Sequence, residues 1–225
     1  MARFRHTVDL TPVPRPWFDK AVAAAWDAVA EHLGGPRLPL VDGDPLTPGA
    51  HYERDATVVT LDAWDRDAET AGRVTVTDEY ATSTCHVRLH SATAPRALAL
   101  EGGAGTGRRA TTVTGALTAD LERWWACRDP AVRGRFAHAA VRGSFTAGLE
   151  RGDPWRVRVT VTVHARGRYL PVAGPALLLG RTWLRREFAR ALAGFAARWD
   201  AEVPAYLAAS PDEVRALVAA ELARD

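Results

Sequence analysis

Three features of the sequence predict an α+β protein: a curved antiparallel sheet closed by a long C-terminal helix. The first is a series of segments in which apolar and polar side chains alternate, the period-2 signature of half-buried strands. The clearest is 155–165, where Trp155, Val157, Val159, Val161 and Val163 point one way and Arg156, Arg158, Thr160, Thr162 and His164 the other. The second is the stretch 176–200, in which Leu177, Leu184, Phe188, Ala191, Leu192, Phe195 and Trp199 form one broad apolar stripe at helical spacing. The third is the order of elements. Strand, helix, many strands and then a long helix is an α+β order with an antiparallel sheet, and alternation within the strands leaves one sheet face wet.

The elements follow in turn. Phe4, His6, Val8 and Leu10 alternate with Arg3, Arg5, Thr7 and Asp9, a strand stopped by Thr11-Pro-Val-Pro-Arg-Pro16. Phe18, Val22, Ala25, Trp26, Val29 and Leu33 then recur at helical spacing up to Gly34-Gly35. Residues 36–48 are rich in Pro, Gly and Asp and are expected to be irregular. Strands are predicted at 57–62, 72–80 and 83–91. A hairpin of 97–100 with 109–117 turns around Glu101-Gly-Gly-Ala-Gly-Thr-Gly107. A short helix is read over 118–127 from Leu121, Trp124 and Trp125, and a last hairpin joins 135–149 to 155–165. Pro204 is expected to end the long helix. Ser210-Pro-Asp-Glu213 is a capping box that opens a final helix with a narrow stripe of Val214, Leu217, Val218 and Leu222.

Composition narrows the classes of function. A formal net charge of +2 and a pI near 8.8 come with no long Lys/Arg run, so no nucleic-acid partner is expected. The longest apolar stretch, 172–180, is far short of the ~20 residues of a membrane span. With no secretory h-region, a cytoplasmic chain with Cys85 and Cys127 reduced is expected.

No motif fixes a reaction. Glu101-Gly-Gly-Ala-Gly-Thr-Gly107 lacks the Lys-Ser/Thr of a phosphate loop and reads as a flexible hairpin loop. His86 and His90, four apart on a strand, stand roughly 13 Å apart, too far to share a metal. No Gly-x-Ser-x-Gly elbow occurs. The stronger signals are polar groups on faces that should be apolar: His6 beside Phe4, Val8 and Leu10, and Asp78 and Tyr80 beside Val74 and Val76. Such groups, if they line a cavity, can act as general acid or base; the competing reading is a strand end emerging into water. His138 and Arg142 share a strand face with Phe136, Ala140 and Ser144, and which face of that strand is inward stays open.

The stretch Trp155-Arg-Val-Arg-Val-Thr-Val-Thr-Val-His-Ala-Arg-Gly-Arg-Tyr-Leu-Pro171, running straight into the helix through Trp199, resembles the START-like superfamily, also called the helix-grip or polyketide-cyclase/lipid-transport fold. The resemblance implies one domain over 1–225, with 203–225 as an added helical tail. It implies an internal cavity for a hydrophobic small molecule, with no cofactor. Tyr169 and Trp183 would then border the cavity mouth and, with His138 and Arg142, contact the ligand. An enzyme of cyclase or lyase type on a polyketide-like metabolite would use His6, Asp78 and Tyr80 for acid–base chemistry. A carrier or sensor would need only an apolar cavity. A structural protein would have no cavity and would dock a partner, or form a homodimer, through the helix after Ser210.

Overall fold

The computed structural model describes residues 1–106, 113–167, 175 and 179–223. Eleven strands form one antiparallel sheet: β1 (Ala2–Leu10), β2 (Leu40–Asp42), β3 (His51–Arg54), β4 (Thr57–Trp64), β5 (Glu69–Thr77), β6 (Ala81–His90), β7 (Ala97–Thr106), β8 (Val113–Asp120), β9 (Val132–Ala137), β10 (Val141–Glu150) and β11 (Trp155–Ala165). Their order is β1-β11-β10-β9-β8-β7-β6-β5-β4-β3-β2. From β2 to β11 the chain is a meander, each strand beside the next. Only β1 is displaced, and it pairs with β11 because α1 (Arg15–His32) carries the chain to the opposite edge of the sheet. The other helices among the described residues include α2 (Leu121–Trp125), α3 (Arg181–Ala208) and α4 (Pro211–Leu222). This is the helix-grip α+β arrangement expected from the sequence, with a curved sheet and a long C-terminal helix.

One edge of the sheet holds α3. Val8, Leu10, Leu149 and Val157 are buried together, and Leu192, Ala196 and Trp199 of the helix pack on them. Phe188 meets Phe4 with ring centroids 6.4 Å apart. Thr11 fixes the register: its amide and hydroxyl donate to Asp200 Oδ1 at 2.7 and 2.8 Å, and its carbonyl accepts from Trp199 Nε1 at 2.9 Å. The other edge holds a second core of Leu33, Leu38, Ala50, Tyr52 and Leu61. There α1 is anchored by Trp26, which stacks on Trp64 at 4.9 Å and donates from Nε1 to Thr70 Oγ1 at 2.8 Å.

Several expectations are corrected. Residues 36–48 contain the short strand β2, and 51–54 add β3. Strand β7 runs straight through the glycines at 102 and 103, which are there because a Cβ on Gly102 would stand 2.5 Å from the Thr84 carbonyl. Residue 107 of the expected loop lies outside the described residues. The strand expected over 135–149 is two strands, β9 and β10, joined by a turn in which His138 N donates to Val141 O at 2.8 Å. Pro204 lies inside α3, which continues to Ala208. A proline removes one helix hydrogen bond, and at this exposed position the helix tolerates that loss. The capping box at Ser210 and Glu213 forms as expected. α4 packs on α1 with Val214 buried, Val218 and Leu222 half-buried and Arg215 paired with Glu31, while Leu217 of the expected stripe is exposed.

Candidate functional site: the inner face of the sheet

Cross-strand register assigns every strand residue to one of two faces, because opposed residues on antiparallel strands point the same way. The inner face is the one on which α3 lies. One row across it reads Phe4, Val161, Phe145, Gly134, Leu117, Leu100, Val87, Gly72, Leu61. The next reads Ala2, Val163, Gly143, Phe136, Gly115, Gly102, Cys85, Val74, Val59. Two adjacent rows thus cross nine strands without a charged side chain, and the Cys85 thiol is their only polar group. The matching outer row reads Arg3, Thr162, Ser144, Arg135, Ala116, Glu101, His86, Arg73, Thr60.

Glycine placement shapes this floor. Gly72, Gly102, Gly115, Gly134 and Gly143 all fall on the inner face. At two of them an aromatic ring fills the missing side chain: a Cβ on Gly134 would fall inside the Phe145 ring, and one on Gly143 would collide with Phe136. The rings therefore lie over the strands rather than standing up from them.

That floor is only partly covered. Among the described helices, α3 packs on β1, while α2 reaches β7, β8 and β10 near their ends. Phe136, Phe145, Leu100, Leu117, Val87, Val161 and Val163 are half-buried, and Cys85, Val76 and Val113 are exposed. Isolated exposed apolar residues are ordinary, but a contiguous apolar band marks a binding surface.

The sequence-predicted site residues do not converge. His6 lies on the inner face, half-buried between Phe4 and Val8 and opposite Val159. It makes no side-chain hydrogen bond to another described residue. Asp78 and Tyr80 are not on the floor. They belong to the β5–β6 turn, six strand positions from β1 along the sheet. There the Asp78 carboxylate accepts from the amides of Tyr80 and Ala81 at 2.7 and 2.6 Å, an Asx turn that ends β5 three residues before the alternation does. The Tyr80 side chain is 74% exposed, so of the two readings of this pair the strand end emerging into water holds, not the cavity-lining one. His138 sits in the β9–β10 turn, its Nδ1 accepting from Ala140 N at 3.4 Å. This turn breaks the parity that grouped Phe136 with Arg142: Phe136 faces inward and Arg142 outward. Trp183, on the first turn of α3, is 63% exposed. Tyr169 lies outside the described residues.

Reading single strands missed the inner floor itself, Phe136, Phe145, Leu100 and Leu117 included. The signal was present as glycines sharing the parity of the apolar residues on successive strands. Seeing it required the register between strands. Among the described residues, no three His, Cys, Asp or Glu side chains gather as metal ligands. No described helix is long and apolar enough to cross a membrane.

No protein-family model matches this chain. No curated protein matches it. Solved structures similar to it include the crystal structure of TTHA0849 from Thermus thermophilus, at 15% identity over 88% of this chain and 95% of that one, with a TM-score of 0.32. A second is the crystal structure of Ara h 8.0201, at 16% identity over 87% and 97%, with a TM-score of 0.25. A third is the crystal structure of a conserved protein from Geobacillus kaustophilus, at 10% identity over 97% and 95%, with a TM-score of 0.21. With TM-scores this low, the fold rests on strand order and helix placement: the chain is an α+β protein of helix-grip architecture.

Proposed function

We propose that this protein binds a hydrophobic small molecule on the inner face of its sheet, in the space between the strands and α3. The observation that carries this reading is the pair of uncharged rows across nine strands, buried under helices at β1 and at Leu61 but only half-buried over β6 to β11, where Cys85 is exposed. Apolar surface left in water costs roughly 25 cal/mol per Å² relative to burying it. A bound apolar ligand recovers that stabilisation. On this reading Trp183, exposed at the start of α3, would stack on a flat ligand.

Carriage or sensing is favoured over turnover. General acid–base catalysis needs titratable groups within hydrogen-bond reach of one reacting centre. On the inner rows His6 is the one imidazole, and Asp78, Tyr80, His138 and Arg142 stand elsewhere. In a carrier His6 serves as the polar anchor that orients the ligand. The cofactor-independent cyclase reading, with a flexible polyketide-like substrate, would have to route its proton transfers through His6 alone.

Titration with Nile red, a neutral hydrophobic dye, tests the binding reading. Saturable binding with a blue-shifted emission is expected, together with a co-purified hydrophobic compound in native mass spectrometry. The absence of both would refute the reading and favour a protein-interaction role. His6→Ala is expected to weaken a ligand that carries a hydroxyl or carbonyl and to leave Nile red unaffected.

A further inference from the structure

The outer face carries a second, chemically opposite feature. Across β7 to β11 a hollow of about 610 Å³ opens where small side chains leave the sheet uncovered. Its floor is Ala116, Ala137 and Ser144, and its rim is Arg135, Arg142, His164 and Arg166 with one carboxylate, Glu101. The register places these groups side by side. Arg142 lies directly opposite both Ala137 and His164, and Arg135 lies opposite Ser144, one step along the same strands.

The arginines of the rim are poorly balanced. Arg135 has one acidic partner, Glu101, with Nη2 and Oε1 3.6 Å apart and both side chains well exposed. Arg142, His164 and Arg166 have no ion pair with a described residue. Several arginines elsewhere in the sheet are matched with acids, Arg156 with Asp9, Arg158 with Glu150 and Arg88 with Glu69, while Arg142 and Arg166 stand together in one hollow without such a partner among the described residues. Arg135, Arg142 and Arg166 thus face a single carboxylate, Glu101, so this hollow holds a net positive field that a bound anion would offset. Guanidinium groups bind oxyanions through paired N–H donors, and the Ser144 and Thr114 hydroxyls supply neutral donors at the same place.

From this arrangement we infer that the hollow binds a small molecule bearing a doubly charged tetrahedral oxyanion, a phosphate monoester or a diphosphate. A volume of about 610 Å³ exceeds what one phosphate needs and falls within the range of small-molecule sites. Single-stranded nucleic acid is a poorer fit. Such binders stack bases on aromatic side chains, and none of the outward-facing residues of β7 to β11 is Phe, Tyr or Trp.

The test is isothermal titration calorimetry of the full chain with inorganic pyrophosphate at low ionic strength. One saturable site is expected. Arg142→Ala should weaken it about tenfold or more, the contribution of a charge-assisted hydrogen bond. Arg73→Ala, on the outer face of β5 and away from the hollow, should leave it unchanged. Absence of saturable heat, or equal weakening by the two substitutions, overturns the inference. So does binding of polyglutamate without binding of pyrophosphate, which would make this face a docking surface for an acidic protein.

Discussion

Replacing Tyr52 with alanine is expected to cost about 3–5 kcal/mol, enough to unfold much of a marginally stable domain. Tyr52 is 0% exposed and stands at the centre of the core formed by Leu33, Leu38, Ala50 and Leu61. Its ring holds together the last helical turn of α1, strands β3 and β4, and the loop at Leu46. The phenol oxygen accepts a hydrogen bond from Leu46 N at 2.9 Å. Tyr52→Phe keeps the ring and removes that acceptor, so a smaller loss of about 1 kcal/mol is expected. Chemical denaturation of the two variants measures both numbers. Equal losses would mean that the hydrogen bond, rather than the packing, holds this edge.

Leu117→Asp is expected to abolish hydrophobic-ligand binding, weakening Nile red about a hundredfold or more. Leu117 sits mid-sheet on the inner face, flanked by Gly134 on one side and Leu100 on the other. An unpaired carboxylate brought against an apolar ligand loses its water without gaining a partner. Because Leu117 is only half-buried, the free protein can keep the carboxylate hydrated and remain folded. Thr118→Asp adds the same charge one residue along, on the outer face, and should bind the dye like the wild type. Equal losses in the two variants, or in neither, would place the dye somewhere other than the inner floor.

Much of this architecture was legible in the sequence because strand alternation and helical stripes are local signals. β1, β6 and β11 alternate over nearly their whole length, and α1 and α3 repeat their apolar positions through several turns. The edge strands β2 and β3 were not legible. They are three and four residues long, and β2 is set among prolines and glycines that read as loop. Strand β7 was hidden for a related reason. Its Gly102 answers to the Thr84 carbonyl on β6, a contact 18 residues back in the chain.

The site was less legible than the fold. His6 was visible as a polar intruder on an apolar strand. Asp78 and Tyr80 had the same parity, but alternation does not reveal where a strand stops, and the Asx turn stops this one at Thr77. For His138 and Arg142, a turn at 138–140 reversed the face assignment between one half of the segment and the other. The inner floor and the outer cationic hollow are properties of rows across strands. They emerge only once register joins residues such as Phe145, Gly134 and Leu117, which lie far apart in sequence.

The most direct test of the central claim is methyl NMR of the Val and Leu side chains during titration with Nile red. Shift changes are expected at Val87, Leu100, Leu117, Val161 and Val163, all on the inner rows, and not at Val58, which faces outward on β4. Changes confined to other methyls, or spread evenly over both faces, would contradict a ligand site on the inner face of the sheet.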